Sequence, residues 1–209
     1  MKDRYGREID YLRISITDRC NLRCIYCMPE EGICQTAHKE ILTYDEIRRI
    51  CRCMTALGIK KIKLTGGEPL TRKDSAVLVR MLKELPGIEK VTLTTNGILL
   101  KEQMAELAEA GIDNINISLD TLNTEAFKKI TRREGLARVL EGLKEAMKYP
   151  QIGLKINCVP VLEDPENLIN LAGIARDNPI HVRFIEMMPI GYGKEFRFCG
   201  EDEICSVLE

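Results

Sequence analysis

Tryptophan is absent from this 209-residue chain, and the three aromatic types together make up 5% of it. A bound cofactor must therefore be held mainly by polar side chains and backbone groups. Net charge is nearly absent too: 31 Lys and Arg stand against 32 Asp and Glu, a formal charge of −1. That excludes attachment to nucleic acid by bulk charge, although a local basic patch stays open. No specific nucleic-acid partner is expected. No run of about 18 apolar residues occurs, so no transmembrane helix is expected. The start, Met1-Lys2-Asp3-Arg4-Tyr5-Gly6, lacks the apolar stretch of a secretory signal. The expected location is cytoplasmic, with no membrane partner. Low-complexity segments and internal linkers are also missing, and 44% hydrophobic residues are enough for a sizeable core.

Cysteine, by contrast, is abundant. An odd count of nine in a chain without a secretory signal argues against a disulfide framework. Some cysteines are small buried hydrophobes; the others are candidate ligands or nucleophiles in a reducing compartment. Cys20, Cys24 and Cys27 form a C-x3-C-x2-C triplet. Three close thiolates can hold three irons of a four-iron cluster and leave the fourth iron open to a small ligand. A zinc site wants four ligands, commonly from paired C-x2-C. No second C-x2-C exists and there are only two histidines, His38 and His181. Cys34 is a candidate fourth ligand, which would make a zinc site or a closed electron-transfer cluster.

Short β-like runs alternate with amphipathic helical runs. Strands are expected over 11–16, 60–65, 91–94, 114–118, 153–159 and 180–187. Thr43 and Glu46 make a capping box before Ile47, Ile50, Cys51, Met54 and Leu57 at helical spacing, and Gly58 ends that helix. Further helices are expected from about 73, over 101–110, 123–130 and 136–147, and after the Asp164-Pro165 start. The tail shows only a weak helical end. This alternation predicts an α/β fold with a parallel sheet and right-handed crossovers.

Along the strands one parity is apolar: Leu12, Ile14, Ile16, Ile62, Leu64, Val91, Leu93, Ile115, Ile117, Leu154, Ile156 and Cys158. The other is polar, including Arg13, Lys61, Lys63, Thr92, Thr94, Asn114, Asn116, Ser118, Lys155 and Asn157. Strands covered by helices on both faces read as continuous apolar runs instead. One face therefore packs on helices and the other lines something wet or charged. A partial (β/α)6 barrel with a roomy polar interior fits; a full eight-stranded barrel needs about 250 residues and fills its interior. A flat doubly wound sheet is the competing arrangement. The unusual residues cluster just after strands, at 17–29, 65–69, 95–97, 118–120 and 186–189. In parallel α/β folds that is the active face.

The triplet, with Tyr26 directly before its last cysteine, resembles the radical S-adenosylmethionine (radical SAM) superfamily. Gly66-Gly67-Glu68-Pro69 resembles its motif for the methionine amino group. Within the superfamily, several further stretches resemble the molybdenum cofactor biosynthesis GTP 3′,8-cyclase family: Leu12 to Asn21, Leu64 to Leu70, Thr94 to Gly97, Asn116 to Asp120 and Arg183 to Met188. The resemblance runs from residue 1 to about 195. It implies an incomplete TIM-barrel fold, a 4Fe-4S cluster on the three cysteines, and S-adenosylmethionine chelating the open iron. It also implies a radical that takes the 3′ hydrogen of GTP, with closure onto C8 of guanine. Implied partners are GTP, a reductant such as flavodoxin or ferredoxin, a downstream cyclic pyranopterin synthase, and a second copy in a homodimer.

Position by position, Tyr26, Gly66, Gly67, Ser118 and Met188 fall on the family's S-adenosylmethionine contacts. Taken singly, the glycine pair reads as a plain strand-to-helix turn, Ser118 as a strand-end cap and Met188 as a core methionine. Arg13, Lys63, Thr94 and Lys155 fall on the family's GTP contacts, and Lys61 and Arg183 are candidates to join them. A triphosphate needs several converging cations. Solvated surface charge is the ordinary reading of any one lysine. Position 63 is more often Arg in the family, and Lys supplies a point charge without the bidentate fork. Family chains continue into a part with a second cysteine triplet for a second cluster that holds the guanine. Residues 1–209 are accordingly expected to be the core domain alone. Cys199 and Cys205 lack the second triplet's spacing, and Cys51 and Cys53 lie on different faces of one helix; none of the four is expected to be a ligand.

Overall fold

The computed structural model describes residues 2–161, 164–197 and 199–209. Six strands, β1 (Tyr11–Ser15), β2 (Lys61–Thr65), β3 (Lys90–Thr95), β4 (Asn114–Ser118), β5 (Gly153–Cys158) and β6 (Ile180–Phe184), form one sheet in the order β1-β2-β3-β4-β5-β6. Every neighbouring pair is parallel. The connections carry α1 (Tyr44–Ala56), α2 (Ser75–Lys83), α3 (Leu100–Glu109), α4 (Thr124–Thr131), α5 (Leu136–Ala146) and α6 (Pro165–Asp177), and α7 (Glu201–Leu208) follows β6.

This order decides between the two expected arrangements. A doubly wound sheet reverses direction at a switch point, which places helices on both faces. Here each strand is added on the same side as the last. With right-handed crossovers, every helix then lands on one face. The apolar parity lies under those helices: Ile62, Leu64, Val91, Leu93, Ile115, Ile117, Ile156 and Cys158 are all buried. The polar parity faces the concave side of the sheet, where Lys63 on β2 and Arg183 on β6 both reach Asn116 on β4. The partial (β/α)6 barrel is the observed fold.

Local chemistry starts the helices where expected. The α1 capping box is complete: the Glu46 amide donates to the Thr43 hydroxyl at 3.3 Å, and the Thr43 amide donates to the Glu46 carboxylate at 2.7 Å. Asn123 accepts from the Ala126 amide at 2.9 Å and Asp164 from the Asn167 amide at 3.0 Å, capping α4 and α6.

Most boundaries fall within two residues of expectation, and the largest difference is at β6. β6 ends at Phe184 and not at Met187. The Ile185 amide still donates to the Cys158 carbonyl at 2.7 Å, but β5 stops there, so the chain beyond has no ladder to join. The tail forms a 3-10 turn at Gly191–Glu195 and then two turns of helix in α7. Glu201, Asp202 and Glu203 in its first turn complement the helix dipole, and buried Ile204 anchors it. All nine cysteines are free thiols, and no helix among the described residues is long and apolar enough to cross a membrane.

Candidate active site at the carboxyl ends of the strands

The cysteine triplet lies on the loop that leaves β1. That loop is fastened to the β2 turn by main-chain bonds. The Gly67 amide donates to the Thr17 carbonyl and the Glu68 amide to the Arg19 carbonyl, both at 2.7 Å. This approach leaves no room for side chains. A Cβ on Gly66 would lie 2.4 Å from the Thr17 oxygen, and one on Gly67 would lie 2.3 Å from the Arg19 oxygen. Gly66 also has φ +152°, a region L side chains rarely adopt. The glycine pair is thus more than a plain turn; it is a docking surface for the cysteine loop.

Glu68 ties the same turn to the end of β3. Its buried carboxylate accepts from the Leu70 amide at 2.9 Å, the Thr95 hydroxyl at 2.8 Å and the Asn96 amide at 2.6 Å. Burial pushes its pKa up, and those three hydrogen bonds oppose the shift. Asn96 turns its side chain back to the cysteine loop, donating to the Asn21 side-chain oxygen Oδ1 at 2.7 Å and to the Cys20 sulfur at 3.9 Å.

Cys20 and Cys24 pack against the core, while Cys27 is exposed. The three thiols lie within electrostatic range of one another: Cys24 feels Cys27 and Cys20, and Cys27 feels Cys20. Burial is the largest cause raising all three thiols, with Asp120 adding to the shift at Cys24 and Cys27 and Glu68 at Cys20. A bound cation reverses that preference, because a coordinated thiol is deprotonated outright. Among the described residues no group of three or more His, Cys, Asp or Glu stands in a preassembled metal-ligating arrangement. Cys34 is exposed.

Tyr26 points to the end of β4. Its hydroxyl donates to Asp120 at 2.7 Å, and the other carboxylate oxygen of Asp120 accepts from the Val159 amide at 2.9 Å. Asn167 on α6 donates to the Asp120 carbonyl at 2.9 Å. Desolvation raises the Asp120 pKa to about 6 against these hydrogen bonds. Ser118, Tyr26, Cys24, Asn96 and Asp120 line one small cavity beside the triplet. Met188 does not line it; its side chain is 64% exposed, and the buried methionine of that segment is Met187.

The inward strand face gathers cations. With its oxygen turned to its charged neighbours, the buried Asn116 side chain on β4 accepts from Lys63 Nζ at 2.6 Å and from Arg183 Nη2 at 3.3 Å. Lys63 is on β2 and Arg183 on β6, four strand spacings apart, or roughly 19 Å in a flat sheet at ~4.8 Å per strand. Curvature brings them to one amide. Half-buried Lys63 has its pKa lowered to about 8, first by desolvation and then by Arg13, Arg183 and Lys155. Thr94 stands on the same face, in register with Asn116. Lys61 does not reach this group; its ammonium is held by Asp10 at 2.7 Å, near the opposite end of the strands. The buried side-chain oxygen of Asn157, in register with Arg183, has no partner among the described residues.

Asp120, Asn96 and Asn116 carry roles that spacing alone did not assign. Their one sequence signal is position: Asn96 and Asp120 lie just past the ends of alternating strands, and Asn116 lies on the polar parity of β4.

The profile of the radical SAM superfamily matches residues 14–173. The chain belongs to the radical SAM superfamily. Members of that superfamily use S-adenosylmethionine together with a 4Fe-4S cluster. The chain is 46% identical, over its whole length, to a GTP 3′,8-cyclase of Clostridium perfringens, and covers 65% of that protein. It is 48% identical to the GTP 3′,8-cyclase of Petrotoga mobilis, with 91% of this chain and 59% of that one covered. The chain thus spans 59–65% of the length of these curated relatives. Among solved structures, Streptococcus suis SuiB bound to S-adenosylmethionine superposes with TM-score 0.68 at 25% identity, covering 84% of this chain and 38% of that one. The FeFe hydrogenase maturase HydG superposes with TM-score 0.71 at 14% identity, covering 95% and 48%, and shows the shared fold.

Proposed function

We propose that this chain is the catalytic core of a radical SAM enzyme of molybdenum cofactor biosynthesis that cyclises GTP between its ribose 3′ carbon and guanine C8. The observation that carries the reading is the group of Arg13, Lys63, Lys155 and Arg183 around Asn116 inside the open barrel. Four cations on four strands have no acid partner among the described residues in the ion pairs of the chain. Like charges brought together in a half-buried space call for a polyanion, and a nucleoside triphosphate supplies one. The relatives named GTP 3′,8-cyclase supply the identity of the nucleotide.

The donor set of the cysteine loop fits an iron–sulfur cluster. Three soft thiols lie on one loop within electrostatic range of one another, with neither histidine of the chain in the loop. Cys20, Cys24 and Cys27 would hold three irons and leave one for S-adenosylmethionine. When bound, this pair supplies a carbon radical able to take hydrogen from an unactivated C–H bond. The chain's own residues bind and orient. Tyr26, Ser118, Gly66 and Gly67 border the S-adenosylmethionine side, and Met188 joins them if the segment after β6 closes over it. The cations and Thr94 fix the triphosphate end of the substrate. The Asn157 oxygen is free to accept from a hydroxyl or N–H of the nucleoside. Fixing the polyphosphate holds the ribose at a set distance from the radical carbon, and misplacement by about 1 Å can cost a hundredfold in rate. A one-electron reductant such as flavodoxin or ferredoxin, a downstream cyclic pyranopterin synthase and a homodimeric partner complete the proposal, with residues 1–209 as the core domain.

The test is anaerobic equilibrium binding of GTP and of S-adenosylmethionine to the iron-reconstituted protein. Arg183→Ala is expected to weaken GTP by about 1.5–3 kcal/mol, the range for a charged hydrogen bond, and to leave S-adenosylmethionine binding unchanged. Equal loss for both ligands would overturn the assignment.

A further inference from the structure

Arg132 ends α4 in the left-handed conformation, with φ +54°. Helices often stop with a residue of that conformation, but glycine is the residue that adopts it without steric cost. An arginine there needs another reason. Its guanidinium provides one: Nη1 donates to the Met28 carbonyl at 2.9 Å and to the Arg23 carbonyl at 3.1 Å. Those carbonyls bracket the stretch that contains Cys24, Tyr26 and Cys27. The neighbouring backbone makes the same connection. The Arg23 amide donates to the Thr131 carbonyl and the Ile25 amide to the Ile130 carbonyl, both at 2.9 Å. The end of α4 is thereby joined to residues 23–28 of the cysteine loop, whereas the glycine pair is joined to residues 17–19.

We propose that Arg132 is a positioning residue that closes the cysteine loop around its cluster by bridging the Arg23 and Met28 carbonyls. This rests on the reading of Cys20, Cys24 and Cys27 as cluster ligands. Arg132 touches neither substrate nor cofactor in this role. It sets how far apart the two ends of the loop stand, and so how easily the loop opens and releases iron. Lysine keeps the charge, but its ammonium sits on a stem one atom shorter and lacks the fixed planar Nη1 that aims two N–H bonds at the two carbonyls.

The experiment compares Arg132→Gly, Arg132→Lys and the wild type, all iron-reconstituted. Three quantities are read: global melting temperature, amide hydrogen exchange resolved over residues 20–28, and the rate of iron loss to an excess of chelator. Glycine relieves the backbone strain, so Arg132→Gly is expected to melt no lower than wild type. Its amides over 23–28 should exchange at least about tenfold faster, since a charged hydrogen bond is lost, and iron should leave faster by a similar factor. Arg132→Lys should fall between. Unchanged exchange over 23–28 in Arg132→Gly would overturn the clamp. So would an increase spread evenly over all six strands with a lowered melting temperature, because that would be a general structural defect. Failure of the wild type to take up iron would refute the cluster reading instead, and the exchange contrast would still decide the clamp.

Discussion

The rim at the strand ends and the interior just below it are built on opposite rules. At the rim most polar groups are matched, with one buried Asp18 carboxylate oxygen and Arg23 Nε the exceptions among the described residues. Gly67 and Glu68 amides meet the Thr17 and Arg19 carbonyls, the Glu68 carboxylate takes three donors, and Asp120 takes donors from Tyr26 and Val159. In the interior, cations face one another with one neutral amide between two of them, and the Asn157 oxygen is unmatched. A matched region is rigid, because loosening it leaves buried polar groups without partners. A surplus of one charge is a cost in the free protein that an anionic ligand removes. The rim is therefore where structure holds the chemistry in place, and the interior is where substrate completes the structure.

The largest break in this comparison is expected at the rim. Gly67→Ala places a methyl on the Arg19 carbonyl, a backbone atom that cannot step aside. Overpacking of this kind costs about 3 kcal/mol, a fall of roughly 6–12 °C in melting temperature for a chain of this size. Thermal unfolding followed by circular dichroism measures it. A melting temperature within a degree of wild type would mean that the two loops are not packed as described.

Interior substitutions should behave in the reverse sense. Arg13→Ala is expected to weaken GTP binding by about 1.5–3 kcal/mol, while the ligand-free protein melts at the same temperature or higher, because a like charge beside Lys63 has gone. Calorimetric binding with parallel melting curves checks both. Loss of stability in the free protein would place Arg13 with the matched groups.

Tyr26→Phe tests the rim at one hydrogen bond. It leaves Asp120 desolvated with one donor fewer, at a cost of about 1–3 kcal/mol. The sign with pH follows from the raised carboxyl pKa. The unfolded group releases its proton near 3.8, the folded one near 6. Between those values the native state binds more protons, so this group's contribution to stability falls as pH rises through that window and is level above it. In Tyr26→Phe the Asp120 pKa moves further up, and the decline should extend above pH 6. Melting temperatures measured from pH 4 to pH 8 show whether it does.

The smallest effect is a fraction of one proton. Lys63 titrates near pH 8 in the free protein, and a bound triphosphate raises it toward the ordinary lysine value. GTP binding at pH 8 should therefore take up protons, and affinity should fall as pH rises through that value. Binding enthalpies in buffers of different ionisation heat measure the uptake. Proton release on binding would sink the idea.

Much of this was legible in the chain. The alternation of strands and helices, the Thr43 and Asp164 starts, and the split between apolar and polar strand parity all come from local rules with periods of two and 3.6. The end of β6 was misplaced because strand length depends on the neighbour: β5 stops at Cys158, and no period in residues 180–187 records that.

Motif spacing likewise brought Cys20, Cys24, Cys27 and the glycine pair to one end of the sheet. The partners of those residues were not legible. Lys61 and Lys63 are two positions apart on one strand and share a face, yet one is held by Asp10 and the other by Asn116. Met188 and Met187 are adjacent, yet only the latter is buried.

The chain's own chemistry determined which face of each strand is polar, where the helices begin, and that five loops carrying thiols, glycines and carboxamides leave from the same end. Those features depend on groups within a few residues of one another. The meeting of Lys63 with Arg183 at Asn116, of Tyr26 with Asp120, and of Arg132 with the cysteine loop was decided only by the tertiary structure. Each of these contacts joins segments 50 to 120 positions apart in the numbering, and such distances are set by how strongly the sheet curves and how the loops close over its end.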